Sequence, residues 1–332
     1  MAETARPLPA SAIDIFARRH YFRWQECLPW VAAIAAFFIF PDYLALGAQV
    51  LATILFAMSL DLVLGYAGII TLGHAAFFGT GAYVAGLLAV HGWGEPLIGL
   101  AAAAVGAALV GLVSGAVILR TRGLTLLMLT LVVNRTLEEA ANKATAITGG
   151  ADGLSGMQVG KVFGFSFDLF GRTAYLYCLG VLFICWLIAR AIVHSPFGRS
   201  LTGIRESVAR MHAIGSPVFG RRLITYTISA AFAGVAGALI AQTTQFVGLG
   251  ALSFERSGEI LIMLILGGVG RLYGAFIGVP LYMILQDRFA AVDPIYWYFW
   301  IGLLLVLVVV FARGGAFGLI DRIAARLRRR PS

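Results

Sequence analysis

The chain has 332 residues, of which 60% are hydrophobic and only 12% charged, with a formal net charge of +9 at pH 7 and a mean hydropathy of +0.89. A soluble domain carries about 25% charged residues, so this composition excludes an ordinary soluble protein and predicts an all-α, polytopic membrane protein. The positive charge does not mark a nucleic-acid binder, because the basic residues sit at the ends of apolar runs, as membrane insertion requires.

Residues 1–27 are too polar and too long before the first apolar run for a cleaved signal peptide, and read as a cytoplasmic arm carrying Arg6, Arg18, Arg19 and Arg23. A span needs roughly 17–25 apolar residues. Such runs fall near 28–46, 47–65, 68–90, 97–119, 123–143, 173–193, 222–243, 256–269, 273–290 and 295–312. The eighth is too short to cross alone and pairs with the ninth around Gly267-Gly268-Val269-Gly270-Arg271. The expectation is about ten transmembrane helices within 28–312, then a basic tail at 313–332. With the N-terminus inside, nineteen of the 25 Lys+Arg fall on the cytoplasmic side, so both termini are placed there.

The second and third runs meet in a stretch with little charge and frequent glycine, from Asp61-Leu62-Val63-Leu64-Gly65-Tyr66-Ala67-Gly68 through Gly73-His74 to Gly79 and Gly81. In water these glycines would make a poor helix. In a bilayer they allow close helix approach, while Asp61 and His74 become expensive enough to need a partner. Arg135, within the fifth run, is the one basic residue deep in a predicted span. Glu139 at i+4 and Glu138 at i+3 are its nearest candidate partners, and Asp61 a longer-range one. The alternatives are an internal ion pair or a pathway contact to a substrate carboxylate.

The outer loop 144–172 holds Thr148-Gly149-Gly150-Ala151-Asp152-Gly153, and the cytoplasmic loop 195–221 holds apolar residues at 197, 201, 204, 208, 211 and 214. The second pattern is that of an amphipathic helix. Such a helix either lies on lipid headgroups or contacts a soluble motor protein. No nucleophile–base pairing, metal-ligand spacing or G-x4-G-K-[ST] phosphate loop is identifiable, and Cys27, Cys178 and Cys185 offer no disulfide framework. Neither an enzyme nor a bound cofactor is expected.

Four blocks carry a family resemblance. LGYAG-x3-LGHAAFFG-x-GAY over 64–83, TGGADGL at 148–154, and SPFGRSL-x-x-IRE with Ala213-Ile214-Gly215 resemble the branched-chain amino acid ABC permeases of the LivM/LivH type. So do Ser253-Phe254-Glu255-Arg256-Ser257-Gly258-Glu259 and LGGVGRLYG at 266–274, and the blocks run in the family's order from about 60 to 285. The resemblance implies a permease subunit in a bacterial inner membrane, working by alternating access with a LivH-like second permease, two cytoplasmic ATPases that use the ATP, and a periplasmic binding protein. It implies an ATPase-coupling role for Phe197, Gly198, Arg199, Arg205, Glu206 and Gly215. It groups Asp61, Gly73, His74, Arg135, Glu138, Glu139 and Glu259 along the pathway or its packing, and puts Thr148, Gly149, Gly150, Asp152 and Gly153 at the outer docking side. Asp61 stands where these permeases usually carry asparagine, Ile69 where a polar residue is common, and the Arg135/Glu138 order is reversed. The substrate therefore stays open among branched-chain amino acids, urea, short amides and other organic acids. A self-contained secondary transporter with broken helices is the alternative outside the family.

Overall fold

The computed structural model describes residues 27–160 and 171–294 and part of 296–306, and its regular elements there are helices. The N-terminal arm through residue 26, positions 161–170, the basic tail and most of the run expected at 295–312 lie outside the described residues.

Pro41 sets the first boundary. A proline lacks the N–H that a helix needs and disfavours helical backbone in the residue before it. The apolar stretch therefore breaks into α1 (Leu28–Ile39), a short turn at Pro41–Tyr43, and α2 (Leu44–Asp61), earlier than the 46/47 boundary expected from hydropathy. Every residue of α2 from Leu51 to Asp61 is buried. A helix apolar all round belongs at the centre of a bundle, and α2 packs there against α6 (Arg172–His194), α9 (Val218–Thr244), α10 (Phe254–Gly267) and α11 (Gly274–Val292). A wider π-type turn at Leu62–Tyr66 ends it.

The run expected to be helical from 68 does not start its helix there. Gly68 adopts φ +67, a left-handed conformation that favours glycine, and α3 begins only at Ala75, ending at Val90. Beyond it come α4 (Pro96–Ile118) and α5 (Leu124–Lys143). α3, α4 and α9 meet through small residues. A Cβ on Gly81 would strike the backbone of Gly234, and one on Gly234 would lie 2.7 Å from the Ala103 carbonyl. Such contacts let backbones approach where there is no water to drive apolar side chains together.

Among the described residues five helical segments are long and apolar enough to cross a membrane: Pro41–Tyr66, Pro96–Ile118, Arg172–His194, Val218–Thr244 and Gly274–Val292. α1, α3 and α10, at 12, 16 and 14 residues, are too short to cross unaided. At 1.5 Å per residue they reach about 18–24 Å, against a hydrocarbon thickness of about 30 Å. Apolar side chains such as Val113, Val117, Phe183 and Ile184 face outward, as lipid contact requires.

The loops sort into two ends. At one, the Leu154 and Val247 backbones pair in both directions at 2.8 and 3.0 Å, and the Gly160 N–H donates to the Gly94 carbonyl at 2.7 Å. At the other, Gly65, Arg205 and Gly270 come together. Each group joins segments that the charge distribution assigns to a common side.

The loop at 195–221 departs from the single helix its periodicity predicts. It forms α7 (Pro196–Glu206) and α8 (Val208–Ala213), separated at Ser207, which is extended at φ −159 and ψ 103. Ser207 accepts a hydrogen bond from the Arg210 N–H at 3.3 Å, capping α8. Across the break the apolar positions differ in depth: Leu201 and Ile204 on α7 are buried, Val208 and Met211 on α8 are half-buried, and Ile214 faces out.

Candidate functional site

Two broken helices converge inside the bundle. α3 starts beside α5, where a Cβ on Gly73 would strike the Thr130 carbonyl. The Leu72 N–H donates to Thr130 Oγ1 at 3.3 Å. The Ala75 N–H donates to Ser257 Oγ in the first turns of α10 at 2.9 Å. A helix start leaves backbone donors without intrahelical partners, and in a dry interior side chains must accept from them. Thr130 and Ser257 meet that demand here.

His74 lies in the same seam, 1% exposed. Its Nε2 is 2.9 Å from Ser59 Oγ, and that hydroxyl donates at 2.6 Å to the Phe56 carbonyl. With its one hydrogen committed, Ser59 accepts from Nε2–H, so Nδ1 is the bare acceptor, and it has no protein partner. The ring stacks on Phe56 at 5.6 Å and meets Phe77 edge-on at 5.7 Å. Asn134 is fully buried; its Nδ2 donates to the Leu252 carbonyl at 2.9 Å, and its Oδ1 is likewise unpartnered.

α5 buries one stripe, Leu126, Thr130 and Asn134, and turns its charged residues outward. Arg135 Nη1 pairs with Glu138 at 2.8 Å, while Nη2 lies 3.9 Å from Glu255 at the start of α10. Its guanidinium sits 5.9 Å from the Phe254 ring centre. Glu139, expected as a partner of Arg135, pairs with Lys143 at 3.4 Å, and Asp61 is engaged elsewhere. Glu259 takes Arg256 at 3.2 Å. The Arg135 side chain is 50% exposed and Glu255 65%. Ion pairs so exposed to water contribute about 0–1 kcal/mol. Facing lipid, an arginine at the bilayer centre costs about 2.5–3.5 kcal/mol on insertion scales. The exposed edge of α5 and α10 is therefore built to face water or protein.

At one end of the bundle α7 is fastened to the interior. Gly198, Leu201 and Ile204 are buried, Phe197 half-buried, and Arg199 and Glu206 exposed. Arg205 Nη1 donates to the Gly65 carbonyl in the turn that ends α2. The arginine stem runs along Gly68, where a Cβ would lie 2.7 Å from its Cγ. In the same node the Gly270 N–H donates to Asp61 Oδ1 at 2.6 Å, with Gly270 at φ +79. Asp61 is 1% exposed and its Oδ2 has no hydrogen-bond partner. Asp61 thus joins the α7 node and not the α5 charges. Gly215, at φ +77, turns the chain after α8 beside Ile214, which is 74% exposed.

At the opposite end Thr148 Oγ1 caps α5 by donating to the Ala141 carbonyl at 2.5 Å, and Gly149, Gly150 and Gly153 take positive φ. Gly153 lies under Phe246 and Val247, and Asp152 is exposed. Sequence reasoning missed Ser59, Thr130, Asn134, Glu255 and Ser257. Thr130 and Asn134, four apart within an apolar run, were a visible polar stripe; the rest needed the fold.

A family model described as "Branched-chain amino acid transport system / permease component" matches residues 43–309. The LivM permease proteins of the high-affinity branched-chain amino acid transport systems of Salmonella typhimurium and Escherichia coli are each 29% identical over 261 residues, covering 70% of this chain and 60% of the relative. A probable LivM permease of Methanocaldococcus jannaschii is 31% identical over 111 residues, 32% of either chain. The chain thus spans about 60% of the length of the curated bacterial relatives it matches. No solved structure matches it. With the matched region spanning the α3–α10 seam, the α7 node and both loop ends, the chain belongs to the family of branched-chain amino acid transport permease components.

Proposed function

We propose that this chain is a membrane-spanning permease subunit of an ABC importer for branched-chain amino acids. In this reading it sits in a bacterial inner membrane with both termini cytoplasmic and about ten crossings. It works with a second permease, two ATPase subunits and a periplasmic binding protein, and has no ATPase site of its own.

The observation that carries the reading is the seat of α7. A surface helix on lipid has no need of an arginine anchored in the bundle, yet Arg205 reaches the Gly65 carbonyl beside the Asp61–Gly270 contact. The exposed side of the loop offers Glu206, Arg210 and the apolar Ile214 for a partner. A push on α7 from an ATPase is delivered to the end of α2 and to the α10–α11 turn together. The charged edge around Arg135 and Glu255 lines the pathway against the second permease, where a guanidinium suits a substrate carboxylate. The loop at 148–156 receives the binding protein.

Glu206→Lys tests this. The variant inserts and assembles normally while ATP hydrolysis no longer drives uptake. Normal uptake by a well-expressed Glu206→Lys permease refutes the coupling role, because a helix resting on lipid tolerates that change.

A further inference from the structure

α9 carries a charge on its inward face. Val218, Thr225, Tyr226 and Ser229 are buried along one side of the helix, and Arg222 occupies the position between Val218 and Tyr226 on that side. This side packs on the end of α4, where a Cβ on Gly115 would lie 2.8 Å from the Tyr226 ring and 3.0 Å from Leu223 Cδ1. Arg222 Nε is buried there with no hydrogen-bond partner. The neighbouring Arg221, by contrast, has its acceptor in Ser216 Oγ at 2.9 Å.

The charge that acts on Arg222 has its own sign: it is Arg122, in the turn between α4 and α5. Arg122 is exposed, and neither arginine is joined to a carboxylate among the described residues. Elsewhere in the bundle the same demand is met, by Glu138 for Arg135, Glu259 for Arg256 and the Gly65 carbonyl for Arg205. Drying a guanidinium N–H without giving it an acceptor is costly, and a second cation beside it adds to the cost. An anion held by both groups relieves the two together. The approach to the pair is apolar. Leu109, Val113 and Val117 on α4 are 56–69% exposed at i, i+4 and i+8, a line that leads to the Thr121-Arg122 turn, and Leu124 beyond the turn is 68% exposed.

We propose that Arg122 and Arg222 together bind the phosphodiester of one anionic phospholipid, whose acyl chains lie along Leu109, Val113 and Val117. The phosphate oxygens supply the acceptor that Arg222 Nε lacks and neutralise the repulsion between the two guanidinium groups. A zwitterionic headgroup would bring a further cation to a place that already holds two. A free phosphate or a partner's carboxylate has the same oxyanion chemistry but no use for the apolar line on α4. In the proposed orientation this end of the bundle is cytoplasmic, the leaflet side on which basic pockets between spans hold anionic headgroups. The inference uses the membrane placement of α4 and is independent of what the permease carries.

The test uses the full-length protein, delipidated in mild detergent and titrated with phosphatidylglycerol or phosphatidylcholine of matched acyl chains, with bound lipid read by native mass spectrometry. The wild type retains phosphatidylglycerol about tenfold or more over phosphatidylcholine, Arg122→Met/Arg222→Met loses that preference, and Arg221→Gln, beside the site but with an acceptor of its own, keeps it. Equal retention of the two lipids by the wild type overturns the proposal. So does unchanged preference in a monodisperse double variant. Displacement of phosphatidylglycerol by excess inorganic phosphate assigns the site to free phosphate, and displacement on adding the ATPase subunits assigns it to a protein carboxylate; either result overturns it too. Should the double variant fail to fold, the wild type decides the matter with a photoactivatable phosphatidylglycerol. Cross-links on the 109–124 segment support the site, and cross-links spread over other outward faces refute it.

Discussion

Arg205→Met is the most selective perturbation of the α7 node. Methionine keeps an unbranched apolar stem to lie along Gly68 and removes only the guanidinium that donates to the Gly65 carbonyl. A hydrogen bond from a charged donor contributes about 1.5–3 kcal/mol. Arg205 is exposed over much of its surface, so water can replace part of that bond, and about 1–2 kcal/mol is the reasonable loss. That corresponds to about a five- to thirty-fold shift in the balance between a fastened and an unfastened α7. In proteoliposomes containing the whole transporter, ATP hydrolysed and solute accumulated are measured in parallel. Hydrolysis persists while the solute carried per ATP falls by about five- to thirty-fold. The permease's melting temperature in detergent changes little, since the buried residues of α7 are untouched. Unaltered stoichiometry in the Arg205→Met transporter sinks the reasoning, as does a permease that no longer assembles, because the contact would then be a folding element and not a coupling one.

Gly73→Leu forces a side chain into the Thr130 carbonyl and costs at least about 1–3 kcal/mol as overpacking; the yield of monodisperse protein falls, whereas His74→Gln assembles with milder loss, and equal yields for the two contradict the close packing. Ala151→Cys, at an exposed position of the 148–156 loop, reacts with a membrane-impermeant thiol reagent from the periplasmic side, against native cysteines that are buried at 178 and 185. Labelling confined to the cytoplasmic face reverses the assigned orientation. For the pair at 2.8 Å, Arg135→Glu combined with Glu138→Arg restores expression but not uptake if Arg135 meets a substrate carboxylate. Recovery of both makes the pair structural.

The helices with strong apolar runs were legible from hydropathy, to within a few residues in α4, α5, α6 and α9. Breaks were legible only where a residue forces them. Pro41 is such a residue, and weighing it above the running hydropathy would have moved the first boundary correctly. The late start of α3 was not legible, because Ile69 to Gly73 are as apolar as a helix interior and their irregular path is fixed by distant partners, Thr130 on α5 and Ser257 on α10. The break at Ser207 was not legible either, because the apolar periodicity continues through a change of direction although only α7 buries its apolar side. Charged residues sorted by reach. The i+3 pairs Arg135–Glu138 and Arg256–Glu259 follow from helix geometry. Asp61 could not be placed from sequence, since its partner is a backbone N–H 209 residues away.

That long-range bond carries the remaining step from structure to mechanism. Asp61 and Ser59 stand two residues apart on α2, one accepting from Gly270 at the α7 end and the other bonded to His74 at the start of α3. α10 makes the second link: its last residue, Gly267, packs against Gly274 beside the Gly270 turn, and its Ser257 accepts from Ala75 at the same α3 start. Ser257 and Gly267 are ten residues apart on one helix, about 15 Å at 1.5 Å per residue. Two stiff helices thus join the seat of α7 to the seam where both broken helices begin. A displacement at Arg205 that moves Gly65 and Gly270 as a unit reaches α3 through two rigid routes, with no need for a chain of small side-chain adjustments. The irregular 67–74 segment joins the two routes without a helical ladder: the Ala67 and Ile69 N–H groups donate to the Leu62 and Val63 carbonyls, and the Leu72 and Gly73 N–H groups to the Thr130 and Thr71 hydroxyls. In the proposed reading as a permease, the switch would be a change in how the α3 start sits between α2, α5 and α10, where the buried acceptors His74 Nδ1 and Asn134 Oδ1 have no hydrogen-bond partner.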